Sequence, residues 1–339
     1  MDAELVRQTA VDGGMIPFTT IPAAGLHGVG LRSLPRNLVQ LGRGALAARQ
    51  RLSEFRPGVM LFTGGYLAAP VALVGWRIPS LLYVPDIEPG LALKFLARFA
   101  TCIAVTTEES QNYFPARTRT VVTGYPTRAE FDRWDRAAGR TYFDLDGDTP
   151  VVLVFGGSQG ARSINNALLD CLPGLLTRTQ SGRQLHVIHI SGRRDWDDVQ
   201  ARRDALPAEL RPRYQAYAYL HEMGAALACA DLVVSRAGAS CLGEYPQFGL
   251  PAVLTPYPHA WRYQRVNAEY LSDRGAALIV ADEALIVDLQ ATIERLFENR
   301  DQLAAMRSAM AALHTPGAAG RLAALLKELA GDGKAMGKG

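Results

Sequence analysis

Short runs of β-branched and apolar residues recur along this chain. Each is closed by a small-residue turn, and most are followed by a helical pattern. They fall at 59–62 (VMLF), 80–84 (SLLYV), 101–105 (TCIAV), 120–122 (TVV), 151–155 (VVLVF), 185–190 (LHVIHI), 231–235 (DLVVS), 252–255 (AVLT) and 276–280 (AALIV). Strands separated by helices are joined by crossovers, so the alternation predicts an α/β fold of parallel sheets with helices on both faces. At 339 residues the chain is too long for one ordinary core, and two domains are expected. The break between them is the polar stretch 127–150, TRAEFDRWDRAAGRTYFDLDGDTP. A boundary at Thr127 to Glu130 gives domains 1–127 and 128–330, with 331–339 (GDGKAMGKG) read as a disordered tail.

A composition of 48% hydrophobic and 20% charged residues is that of a globular protein. The net charge of +3 is too small for the basic face of a nucleic-acid binder, but suits an anionic ligand or an anionic membrane surface. The four cysteines, Cys102, Cys171, Cys229 and Cys241, form no C-x-x-C pair and have no histidine at zinc spacing, so free thiols are expected. No apolar run reaches about 18 residues, and no spanning helix is predicted. The opening MDAELVRQTAVDGG carries Asp2 and Glu4 and lacks the apolar core of a signal peptide.

Three loops carry candidate chemistry. In VVLVFGGSQGARSIN, 151–165, a buried strand meets Gly156, Gly157 and Gly160, and a helix starts near Arg162. Glycines there let the backbone turn tightly and approach a ligand, and the free N–H groups of a helix start suit phosphate. The same glycines would also serve simply to pack a helix on a sheet. In 231–258 a second strand meets the small-residue turn Ala237-Gly238-Ala239-Ser240, and Glu244 follows on a helix. A carboxylate placed so can accept both hydroxyls of a ribose, or can be an ordinary solvated glutamate. In 256–277, Gln264 and Asn267 share a helix face, with His259 just before that helix and read as structural. Asp144 and Asp146 form a D-x-D, a pattern that metal-dependent sugar transferases use, but its flanks read as a turn and no metal is expected.

Together these stretches resemble the MurG family, bacterial N-acetylglucosaminyltransferases of peptidoglycan synthesis. The family's G-G-S-Q-G-A-R stands intact at 156–162, with Asn165 following. Its R-S-G-A-x-x-x-x-E is matched by Arg236-Ala237-Gly238-Ala239 and Glu244, and its P-x-x-H-x-x-x-x-Q-x-x-N-A by Pro256, His259, Gln264, Asn267 and Ala268. GYPTR at 124–128 resembles G-N-P-x-R, and FTGGYLAAP at 62–70 resembles the family's second glycine loop. The resemblance spans 2–329 and implies a GT-B fold, two Rossmann-like parallel-sheet domains facing a cleft, with the last helix packing back on the first domain. It implies UDP-N-acetylglucosamine as donor and no required cofactor or metal. Arg128, Gly157, Ser158, Gln159, Gly160, Leu220, Gly238, Ala239, Glu244 and Gln264 are the implied donor-binding residues. Of these, Leu220 would meet the uracil through its backbone, Glu244 the ribose and Gln264 the sugar. Gly64, Gly65 and Tyr66 fall on the acceptor side. The implied reaction is an inverting transfer to the 4-hydroxyl of an undecaprenyl-linked N-acetylmuramoyl pentapeptide, at the cytoplasmic face of the plasma membrane. The apolar, basic 90–100 stretch (GLALKFLARFA) would touch anionic lipid there.

The chain departs from the family in three places. The family's opening strand and G-G-T-G-G-H loop, about 30 residues of βαβ unit, have no counterpart before MDAELV. At 82–90 (LYVPDIEPG) the family has L-H-E-Q-N, so Tyr83, Val84, Pro85 and Asp86 replace its imidazole, carboxylate and amides. Asp86 and Glu88 become the candidate bases, though a loop acid capping the next helix reads equally well. Ala237 stands where the family prefers serine. These departures leave two alternatives: transfer to another lipid acceptor such as diacylglycerol, or UDP-sugar binding without catalysis.

Overall fold

The computed structural model describes residues 10–11, 14–21, 34–65, 68–157, 160–177, 179–180, 183–259 and 262–336. They group into two compact units, one of 1–83, 91–103 and 325–339, the other of 84–90 and 104–324.

The strands β1 (Met60–Phe62), β2 (Ser80–Val84), β3 (Cys102–Val105) and β4 (Thr120–Val122) form a four-stranded sheet in that order. In the smaller unit β1 pairs in parallel with β2, Met60 opposite Ser80 and Phe62 opposite Leu82. Helix α1 (Leu34–Phe55) packs on α2 (Ala68–Val74), and α3 (Leu91–Leu96) follows. Every residue of β2 is buried, as its unbroken apolar run requires.

The larger unit holds a six-stranded, wholly parallel sheet. Its strands are β5 (Val151–Phe155), β6 (His186–Ile190), β7 (Tyr214–Tyr217), β8 (Leu232–Ser235), β9 (Ala252–Leu254) and β10 (Ala277–Ile279), in the order β7-β6-β5-β8-β9-β10. This is the doubly wound 3-2-1-4-5-6 order, which reverses between β5 and β8. Side chains alternate along each strand. Val152, Val154, Leu232 and Val234 enter one core with helices α5 (Arg162–Thr177) and α10 (Leu285–Glu298). Val151, Leu153, Val233 and Leu254 enter the other, with α7 (Met223–Cys229). Helix α4 (Arg136–Tyr142) packs on α7, and α6 (Trp196–Asp204) follows β6.

Two elements go beyond the sequence reading. Strand β7, YQAY, has no β-branched residue, and only pairing with β6 makes it a strand. Helix α12 (Ala318–Met336) runs six residues past Ala330, through Gly331 and Gly333, into the stretch read as tail. A helix already nucleated crosses a glycine at about 1 kcal/mol, so no break is forced there. In the smaller unit Ala330 of that helix lies against Gly58. Residues 337–339 lie outside the described residues. Asp144, at φ 53°, sits in a turn whose Asp146 carbonyl accepts from Arg140, and no group of three metal-ligating side chains occurs among the described residues.

Candidate active site

A parallel doubly wound sheet leaves a crevice beyond the strand ends where the order reverses. The larger unit has a cavity of about 650 Å³ at that point, walled by the loops after β5, β6, β8 and β9. The loop after β5 is built from backbone. Gly157 and Gly160 have φ of +90° and +78°, and the Gly160 N–H donates to the Gly157 carbonyl at 3.0 Å. A side chain at Gly156 would stand 2.2 Å from the Ala161 nitrogen, and one at Gly160 2.1 Å from the Ser191 carbonyl oxygen. Only glycine fits either place, and the turn delivers the first N–H groups of α5 to the cavity. Ser158 and Gln159, expected in this loop, lie outside the described residues.

Three arginines, Arg162, Arg194 and Arg236, line the cavity with two carboxylates, Asp195 and Asp282. Their balance is positive by one charge, and the start of α5 adds its dipole end, so the cavity favours an anion. Arg236 is fixed. It donates to the Ser163 hydroxyl at 2.7 Å, to the Thr255 carbonyl at 3.1 Å and to Asp282, and it lies over the Tyr257 ring. Arg162 is held by Asp195 through Nε at 3.0 Å and Nη2 at 2.9 Å.

Asp195 in turn ends a buried chain of hydrogen bonds. The Asn165 Nδ2 donates to Asp195 at 3.0 Å and to the Ser191 carbonyl at 2.9 Å, which leaves Asn165 Oδ1 to accept from His189 Nε2 at 3.0 Å. The His189 Nδ1 then accepts from the Tyr214 hydroxyl at 2.7 Å. Burial pushes the His189 imidazole down to about 3, so it stays neutral and its tautomer is set by this chain.

On α9 (Tyr263–Ser272), Gln264 lines the cavity and accepts the Tyr257 N–H through Oε1 at 2.8 Å. Its Nε2 is therefore the group offered to a ligand, a donor aimed at oxygen acceptors. Gly238 lines the cavity, and Ala239 opens the 3₁₀ turn Ala239–Leu242 behind it. Glu244 starts α8 (Glu244–Phe248), behind the cavity wall. Burial pushes its carboxyl up to about 7, against the nearby Arg128 charge and a hydrogen bond from Ser240. Arg128 itself is half-exposed, paired with Glu130 at 3.0 Å and lying over the Phe131 ring. Leu220 is buried in the core beside Ile188 and Ile190. His259 is exposed and stacks edge-on with Tyr257.

The loop that departs from the family, 84–90, belongs to this same unit. Asp86 accepts from Asn267 at 2.8 Å, and burial raises its carboxyl while that hydrogen bond lowers it. Glu88 faces Arg262 at 3.6 Å. Gly64 and Gly65 follow β1 in the smaller unit, at φ of +119° and +85°, and Tyr66 lies outside the described residues. Sequence reasoning passed over Asp195, Arg194, Ser163 and Asp282. SGRRD after β6 carried a faint signal for the first two, a glycine and charges closing a strand; nothing local marked the others.

Residues 151–322 match the family model described as Glycosyltransferase family 28 C-terminal domain. A UDP-N-acetylglucosamine–N-acetylmuramyl-(pentapeptide) pyrophosphoryl-undecaprenol N-acetylglucosamine transferase from Roseiflexus sp. (strain RS-1) is 39% identical, over 97% of this chain and 81% of its own length. The protein of the same name from Desulforudis audaxviator is 36% identical over 98% and 88%. Among solved structures, Acinetobacter baumannii MurG superposes with a TM-score of 0.70 at 24% identity, over 97% of this chain and 88% of that one. An S. aureus MnaA–UDP co-structure gives 0.63 at 10%, over 84% and 79%.

Proposed function

The chain belongs to the family of UDP-N-acetylglucosamine–N-acetylmuramyl-(pentapeptide) pyrophosphoryl-undecaprenol N-acetylglucosamine transferases, the MurG family, with its GT-B fold, and from that membership we propose how its residues act. The chain is a glycosyltransferase. It moves N-acetylglucosamine from UDP-N-acetylglucosamine to the lipid-linked N-acetylmuramoyl pentapeptide, converting lipid I to lipid II in peptidoglycan synthesis. The cavity at the β5–β8 reversal carries this reading, because its glycine turn, helix start and net positive lining suit a diphosphate.

In the proposed assignment the diphosphate sits on the 156–161 turn, with Ser158 and Gln159 reaching it and the sugar region. Gly157, Gly160, Gly238 and Ala239 let backbone come close. Gln264 offers its Nε2 to a sugar oxygen. Glu244 takes the ribose hydroxyls, Arg128 reaches the donor beside it, and the Leu220 backbone meets the uracil. Gly64, Gly65 and Tyr66 serve the acceptor. The acceptor's 4-hydroxyl oxygen attacks the anomeric carbon, the carbon–oxygen bond to the diphosphate breaks with inversion, and UDP leaves with the bonding pair. N–H groups and arginines stabilise that charge without a metal. The hydroxyl proton goes to a carboxylate of the 84–90 loop, Asp86 or Glu88.

We place the enzyme peripherally at the cytoplasmic face. No helix among the described residues is long and apolar enough to cross a membrane. The smaller unit exposes Leu46, Phe55, Leu73, Trp76, Leu91 and Phe95, and the last two flank Lys94. An apolar surface with basic neighbours suits an anionic leaflet rather than nucleic acid. Cosedimentation with phosphatidylglycerol vesicles, absent with phosphatidylcholine, is the expected result.

The deciding experiment supplies UDP-N-acetylglucosamine with lipid I or with diacylglycerol and follows UDP release and the glycosylated lipid. Lipid II formation is expected. Product from diacylglycerol alone would move the acceptor assignment, as the altered 82–90 loop would allow. UDP-N-acetylglucosamine binding with neither product would mean a binding protein.

A further inference from the structure

Asp86 stands at the end of a short, fully specified hydrogen-bond seat. Asn267 is completely buried on α9. Its Oδ1 accepts the Ile87 N–H at 3.1 Å, so the amide orientation is set by a donor and the Nδ2 must point the other way. That Nδ2 donates to Asp86 Oδ1 at 2.8 Å and to the Ala237 carbonyl at 3.1 Å. One side chain therefore grips the 84–90 loop twice and the turn after β8 once. Ala237 directly precedes Gly238, which lines the cavity, and Gln264 lies three residues before Asn267 on the same helix face. Asp86 is only part-buried, and among the described residues its second oxygen makes no hydrogen bond.

A carboxylate with one oxygen anchored and the other left without a hydrogen bond is the arrangement a general base needs. Glu88 on the same loop is instead buried and turned to Arg262. We propose that Asn267 is a positioning residue that holds Asp86, rather than Glu88, as the base for the transfer, and ties it to the helix carrying Gln264. The proposal rests on the transferase reading above. The family's imidazole and amides are absent from this loop, and Asn267, which matches the family's asparagine on α9, anchors Asp86 here. The ionisable groups that face Asp86 are Tyr125 and Cys241, both of which also face Glu244, whose neighbour is Arg128, and, on its own loop, Glu88 faces Arg262.

The test measures lipid II formation against pH, with UDP affinity from calorimetry as an independent reading of the donor site. Asp86→Asn is expected to lower kcat about 100-fold or more, a far larger loss than Glu88→Gln gives, with UDP affinity within about threefold. Asn267→Ser should cost about tenfold in kcat and move the acidic limb of the kcat/KM profile to higher pH, because the lost hydrogen bond had favoured the ionised carboxyl. In an Asp86→Asn background it should cost nothing further. UDP affinity against pH follows Glu244 separately. Should Asn267→Ser not fold, Asp86→Glu substitutes for it: a carboxylate one methylene too long for the amide should lose about tenfold and shift the same limb. An Asp86→Asn enzyme keeping more than about a third of its activity overturns the proposal. So does an unmoved acidic limb, a full additional loss in the double variant, or loss of UDP binding in step with activity. A wild-type chain that makes no lipid II overturns the transferase reading instead.

Discussion

Two loops at strand ends in the larger unit are built on opposite principles. The turn after β5 is held by its own backbone: Gly157 and Gly160 at positive φ, an N–H to carbonyl bond between them, and no room for a Cβ at Gly156 or Gly160. The loop after β2 is held by side chains distant in sequence, Asp86 and Ile87 on Asn267 and Glu88 beside Arg262. The first offers N–H groups to an anion and tolerates almost no substitution. The second offers a carboxylate, departs from the family pattern, and hangs on Asn267 from 181 residues away. A binding loop made of backbone is constrained by sterics, while a loop pinned by one buried amide depends on that single partner.

The sharpest way to break this contrast is Gly160→Ala. A strained φ and a Cβ 2.1 Å from the Ser191 carbonyl should cost about 4 kcal/mol, read as lost thermal stability together with lost UDP binding. Normal folding and binding would show that the turn is not backbone-limited. His189→Ala comes next. It strands the Tyr214 hydroxyl and the Asn165 amide in the core, and about 3 kcal/mol should be lost in urea unfolding at pH 7.5. Because the folded-state imidazole is held near 3, wild-type stability owed to it is full above pH 6.5 and lost as pH falls from there; the variant should lack that acid dependence.

Glu244→Gln sharpens the donor side. With the carboxyl near 7, UDP affinity should fall about tenfold between pH 8 and pH 6 as the carboxylate is protonated, and the glutamine variant should be flat. The stability sign runs oppositely. A raised carboxyl favours the fold below its unfolded value of 4.5 and loses that contribution as pH rises through 7, so the glutamine variant should be more stable by about 2 kcal/mol at pH 8. Arg262→Ala is the smallest effect, about 0.5 kcal/mol, because its guanidinium is 71% exposed and 3.6 Å from Glu88. A larger loss would mean that the loop hangs on that ion pair more than on Asn267.

The sequence by itself determined the parallel sheets, the switch-point turn and the family. Each strand in VVLVF or DLVVS announces burial on both faces by its unbroken apolar run, and each glycine of 156–160 announces a backbone constraint that no neighbour needs to supply. Strand β7 stayed hidden because YQAY is a strand only beside β6. Asp195, Asp282 and the Asn267–Asp86 seat stayed hidden for the same reason. Asp86 and Asn267 lie 181 residues apart, and a hydrogen bond between distant side chains leaves no periodicity, spacing or composition to read. What a residue does alone is written in the chain. What it does through a partner was decided only when folding brought the two within 3 Å of each other.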